Sequence, residues 1–111
     1  MGRVKPRKRY LLFHVEAETG RLEEQKIKGE VYESFKKLFG VTGLSKAGIR
    51  WVKFNPEQGF GIIRCSQEMV PQLRTSLAVI KNLENRKVRV CTVRVSGTLK
   101  TLRETLMKIK T

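Results

Sequence analysis

Side chains able to do acid–base, nucleophilic or metal chemistry are few in this sequence, and they are scattered. There is one histidine, His14, and two cysteines, Cys65 and Cys91, 26 positions apart with no Cys-x-x-Cys spacing. One imidazole and two distant thiols do not make a metal site. Every acid is a glutamate, from Glu16 to Glu104, and the chain has no aspartate at all. Enzymes that cut or build nucleic acid with Mg²⁺ hold the ion on clustered carboxylates, commonly Asp. Two thiols in a short basic chain read as buried core residues. The expectation is a chain with no catalytic residues of its own, no metal site and no bound cofactor.

The basic residues are the opposite case. Lys and Arg number 24 against 10 acids, a net charge of +14 in 111 residues. Such a field draws polyanions, and nucleic acid is the first to consider. Charge-rich thermophile proteins usually balance Lys with Glu, and this chain does not. A membrane surface would require a basic amphipathic helix with large exposed apolar residues, and none fits well. No apolar run approaches the ~18 residues of a membrane span. The N-terminus lacks a signal-peptide core, so a cytoplasmic location is expected.

Several elements must position those charges. Residues 1–9 read as a flexible basic arm carrying Arg3, Lys5, Arg7, Lys8 and Arg9 with no balancing acid. Such an arm is either a frayed terminus or a segment that orders on phosphates. Residues 10–111 read as a single α+β domain. Tyr10–Val15 is an apolar strand with both faces at least partly covered. Residues 26–39 carry Ile27, Val31, Phe35, Leu38 and Phe39 on one helical stripe, and Gly40 follows as a C-cap. Val41 to Ala47 reads as a loop. Ile49–Phe54 and Phe60–Cys65 form a hairpin around the turn at residues 55–59. A second helix runs over 68–83 with Pro71 in its first turn. Lys87–Val95 is a strand whose alternation changes phase between Val90 and Val93, so either a bulge sits there or both faces are buried. A third helix covers about 99–109, with Leu99, Leu102, Leu106 and Ile109 on one side.

The order βαββαβ predicts a ferredoxin-like, RNA-recognition-like sandwich with a four-stranded antiparallel sheet. The leftover C-terminal helix is expected to cover the second sheet face. The base-stacking signature of RNA-recognition modules is only partly present: Gly59, Phe60 and Gly61 match, but Ile62 and Cys65 stand where aromatics belong.

Arg9-Tyr10-Leu11-Leu12-Phe13, Gly59-Phe60-Gly61-Ile62-Ile63-Arg64-Cys65 and Val95-Ser96-Gly97-Thr98-Leu99-Lys100-Thr101-Leu102 stand in order along nearly the whole chain. Together they resemble the archaeal ribonuclease P protein component 2 family, related to a small subunit of the eukaryotic ribonuclease P and MRP particles. The resemblance implies a non-catalytic subunit of the RNA enzyme that removes the 5′ leader from precursor tRNA. It implies ribonuclease P RNA and protein component 3 as partners, leaves room for self-association, and puts the Mg²⁺ on the RNA. The alternative is a sequence-tolerant single-stranded RNA-binding domain that stacks bases on Phe60.

For phosphate contact the arm comes first, followed by Arg64, Arg94, Lys100 and Arg103. Ser96, Gly97 and Thr98 add backbone and hydroxyl donors at a helix start. Each has a plainer reading. Arg64 caps a helix or pairs with Glu68, Lys100 and Arg103 form a solvated helix face, and Ser96-Gly97-Thr98 is a turn and cap. Phe39, Val41, Leu44 and Trp51 either finish the core, the usual fate of such residues, or form a protein-binding patch.

Overall fold

The structure is a computed structural model and describes residues 7–18 and 20–110. Arg3 and Lys5 lie outside the described residues. Strand β1 spans Lys8–Ala17, two residues further upstream than the apolar run, because Lys8 and Arg9 pair with Ser66 and Cys65 of β3. β2 spans Arg50–Phe54 and β3 spans Phe60–Ser66, joined as the expected hairpin. The turn between them is closed by backbone bonds of 2.8 Å in both directions between Asn55 and the Gly59–Phe60 pair.

The sheet has five antiparallel strands, not four, in the order β2-β3-β1-β5-β4. The added strand, β4, is Asn82–Leu83, and it pairs with the start of β5, Arg86–Ser96. Leu83 continues the helical spacing of Leu73, Leu77 and Ile80, which is why the sequence reads as helix there. The chain instead turns through Glu84 and Asn85, at φ 49° and 66°. Two left-handed residues in succession make a tight hairpin turn. Lys26 of the first helix ties this turn down with a 3.0 Å ion pair to Glu84. The phase change in β5 is a bulge: Leu12 pairs with Arg94 but Phe13 pairs with Thr92, which leaves Val93 extra.

Helix α1 spans Glu24–Ala47 and is broken at Gly40, at φ 74° and ψ 178°. Gly40 therefore ends the first helical segment, as its position predicts. The chain then resumes helix over residues 41–47, where a loop is expected from the sequence. The second segment exists because Leu44 and Ala47 return to the core one turn apart. Helix α2 spans Val70–Ala78, shorter than its periodicity predicts, with Pro71 in its first turn and a 3₁₀ turn, Gln67–Met69, ahead of it. Buried Ser34 of α1 donates a 2.7 Å hydrogen bond to the Ser76 carbonyl of α2, so the contact between the two helices contains a satisfied polar tie.

Two apolar layers result. On one side of the sheet Leu11, Phe13, Val15 and Ile63 pack against Ile27, Val31 and Phe35 of α1 and Leu73 and Leu77 of α2. On the other, helix α3 (Leu99–Lys110) lays Leu102 and Leu106 over Leu12 and Ile62. α3 thus covers the second face. Ile109, expected beneath it, is instead 46% exposed at the helix end.

Cys65 lies in the main core, and burial pushes its thiol up to about 11. The thiolate is the reactive form, so a raised value means an inert sulfur below that pH. Cys91 is half-buried on the other face. At pH 8 a mild alkylating reagent is expected to label Cys91 while Cys65 reacts only after unfolding, with mass spectrometry of the two peptides as the readout.

Candidate nucleic-acid interface

Strand register decides which charges share a surface. Side chains of paired residues stand on the same face of a sheet. Tyr10, between Arg64 on β3 and Ser96 on β5, stands on the α3 side, and Arg50 of β2 pairs with Arg64. One step along, Lys53, Ile62, Leu12 and Arg94 form the next row. Arg94 Nη1 donates to Thr105 Oγ1 of α3 at 3.1 Å, which fixes that guanidinium beside the helix. Arg89, opposite Glu16, completes the strand contribution.

Helix α3 adds exposed Lys100, Arg103 and Lys108 on its outer surface. The α3 side therefore carries these three together with Arg50, Lys53, Arg64, Arg89 and Arg94 from the strands, while the acids that register and helix position put there among the described residues are Glu16 and Glu104. Helix α1, on the opposite side, alternates Lys26, Lys28, Lys36, Lys37 and Lys46 with Glu24, Glu30 and Glu33. A one-signed face focuses field and attracts polyanions, whereas a mixed face does not.

The start of α3 is built locally. The Thr98 N–H donates to Ser96 Oγ at 3.2 Å, and the Thr101 N–H donates to Thr98 Oγ1 at 3.4 Å. Thr98 is thus the helix N-cap, so the turn-and-cap reading of Ser96-Gly97-Thr98 describes their local role. Lys100, in the first turn of α3, is exposed. Arg9 stands on the other side of β1, and its guanidinium lies close beside Gly97. Arg7 is exposed ahead of β1, and Lys8 reaches to Gly48. Arg64 makes no ion pair with Glu68.

The Gly59-Phe60-Gly61 segment is structural. A Cβ on Gly61 would strike the rings of Phe13 and Phe54, so this close approach of strand to aromatic core admits glycine. The Phe60 ring lies 4.4 Å from the His14 ring and packs against the Leu12–Leu106 cluster. His14 in turn is anchored by a 2.9 Å hydrogen bond from Nε2 to the Gln58 carbonyl. Phe60 is a half-buried prop under α3, not an open stacking platform.

Phe39, Leu44 and Trp51 pack against the main core. Trp51 Nε1 donates to Glu24 Oε2 at 3.0 Å, and its ring meets Phe13 at 5.6 Å. Val41 alone of the four is strongly exposed, at 68%. Arg50, Lys53 and Arg89 escape a sequence reading because their side of the sheet depends on pairing with distant strands. No sequence signal flags the first two: Arg50 and Lys53 are three residues apart, and only the bulge between Trp51 and Lys53 brings them to one side.

Residues 9–107 match the Rpp14/Pop5 family. The chain belongs to that family. Among curated relatives, ribonuclease P protein component 2 of Methanosarcina mazei is 33% identical over 95% of this chain and 88% of its own length. The component 2 proteins of Pyrococcus horikoshii and Thermococcus kodakarensis are 28% and 30% identical, each over 90% of this chain and 82% of theirs. In the cryo-EM structure of yeast ribonuclease MRP, one chain superimposes with a TM-score of 0.67 at 11% identity, covering 98% of both chains. That likeness is one of fold. The matched span takes in residues of both sheet faces and of α3 as far as Met107.

Proposed function

We propose that this chain is a protein subunit of ribonuclease P that binds and stabilises the catalytic RNA for 5′-leader removal from precursor tRNA. The family match over residues 9–107 carries this reading. The predominantly basic α3 side supports it, since a subunit without catalytic groups acts by neutralising crowded phosphates. The RNA, with its Mg²⁺, supplies the chemistry; the chain binds no cofactor of its own. The cations of the N-terminal stretch, Arg3, Lys5, Arg7, Lys8 and Arg9, add phosphate contacts of their own, with Lys8 and Arg9 held in β1. The core of the fold is the βαββαβ sandwich of ferredoxin-like type, with the β4 hairpin as an elaboration. Protein component 3, or a second copy of this chain, takes the opposite side, where Leu38, Val41 and Val79 are exposed apolar residues on α1 and just beyond α2. No helix among the described residues is long and apolar enough to cross a membrane. The cytoplasm is part of the proposed reading and rests on the subunit role, not on that absence.

Reconstitution tests the reading. The ribonuclease P RNA and the other protein components are assembled with and without this chain and given precursor tRNA at low Mg²⁺. Omitting the chain is expected to slow 5′ cleavage strongly at low Mg²⁺ and less at high Mg²⁺. An unchanged rate on omission, or specific cleavage by the chain alone, would overturn it.

A further inference from the structure

Arg50 and Arg64 face each other across β2 and β3, on the α3 side of the sheet. Directly opposed side chains have Cβ atoms ~5 Å apart, and like charges so placed repel. Nothing offsets this pair. Among the described residues neither guanidinium has a carboxylate partner. The Arg64 Nε is enclosed and has no hydrogen-bond acceptor. Lys8, on the neighbouring row, brings its ammonium to Gly48, two residues before Arg50. This corner therefore concentrates cations, leaves a buried donor unmet and supplies no anion. An enclosed N–H without an acceptor is costly, so the arrangement calls for one.

We infer that Arg50 and Arg64 form a clamp for a single phosphate group, and that its source is a phosphodiester of the bound RNA. Both guanidiniums turn onto the same phosphate, each offering forked N–H donors that match its oxygens. The repulsion becomes shared attraction, and the Arg64 donor gains an acceptor. The row continues through Tyr10 to Ser96 and the start of α3, so a strand of RNA seated here runs toward Lys100. The inference rests on the subunit reading above and adds the residue pair that grips the backbone.

Two measurements on the full chain test it, with Arg50→Gln, Arg64→Gln and the double variant. First, thermal unfolding is followed in inorganic phosphate and in chloride at equal ionic strength. Phosphate is expected to raise the wild-type Tm and to lose that effect in each variant. Second, binding to ribonuclease P RNA is followed against salt. Each single variant is expected to flatten the log–log slope by about one unit and weaken binding several-fold, and the double variant to do no more than either single one, since one phosphate is lost in every case. Slopes that fall by one unit in each single variant and by two in the double would overturn the shared clamp. A phosphate effect on Tm with an unchanged RNA slope would overturn the RNA as its source and leave a free-phosphate site. A wild-type chain that binds no RNA defeats the subunit reading; RNA binding that all three variants retain unchanged defeats the clamp alone. If Arg64→Gln fails to fold, Arg50→Gln, at an exposed position, decides both measurements.

Discussion

Leu102→Ala is expected to cost roughly 2–5 kcal/mol of stability, the range for a fully enclosed leucine cut back to alanine. Leu102 has no exposed surface and closes the small cluster with Leu12, Ile62 and Leu106. That cluster has four buried members, with Tyr10, Val52, Phe60 and Leu99 packed at its margin, so the loss of one leucine removes a large share of it. The large core on the opposite side is untouched, and the five strands remain paired. The damage is therefore concentrated in the seating of α3. Met107→Ala, at a site 70% exposed on the same helix, is the matched control and should stay within about 0.5 kcal/mol of wild type. Urea unfolding of the two variants checks the difference. A Leu102→Ala protein as stable as the Met107→Ala protein would mean that α3 is not held to the sheet as described.

Removing charge from the α3 side should have the largest effect on RNA. The combined variant Lys53→Gln, Arg94→Gln, Lys100→Gln and Arg103→Gln deletes four cations that register and helix geometry put on one surface. If each meets a phosphate, the log–log salt slope flattens by about three to four units, and affinity near physiological salt falls roughly 10³-fold. The comparison variant removes four lysines from α1: Lys28, Lys36, Lys37 and Lys46. It changes net charge equally, so any general field effect is common to both. Its slope should change far less. Filter binding across a salt series separates them, and an equal loss from the α1 set would move the interface to the other side.

Much of this architecture was legible in local patterning. The unbroken apolar run of Tyr10–Val15 marked β1 as covered on both faces, and the spare amphipathic segment beginning at Leu99 was its natural cover. The misplaced phase in β5 was visible as a choice between bulge and burial, and the structure resolves it as a bulge. What failed had a common cause. After the Gly40 cap, Gly43 with Gly48 nearby reads as a loop, but only Gly40 and Gly48 have positive φ, and tertiary contacts of Leu44 and Ala47 hold the residues between them helical. Leu83 kept helical spacing by coincidence, while Asn85, a residue tolerant of positive φ, was the overlooked turn signal. On the basic α3 side, Arg64, Arg94, Lys100 and Arg103 are candidates that charge near strand and helix ends suggests. Arg50 and Lys53 are not among them, because their side of the sheet depends on which residue of β3 lies opposite.

The edges of the sheet carry a consequence for assembly. β2, at one edge, is five residues long, is bulged between Trp51 and Lys53, and bears Arg50 and Lys53. At the other, β4 is two residues long and covers only Arg86 and Lys87, so the rest of that rim is β5, which is bulged at Val93 and bears exposed Arg89 and Arg94. Charge, irregularity and shortness are the devices by which edge strands resist recruiting another chain's backbone. Neither rim of this sheet is a template for strand addition. A densely packed ribonucleoprotein brings many chains together at high local concentration. There this subunit can be joined through its helices and its cations, while its backbone stays closed to the runaway pairing that leads to aggregates.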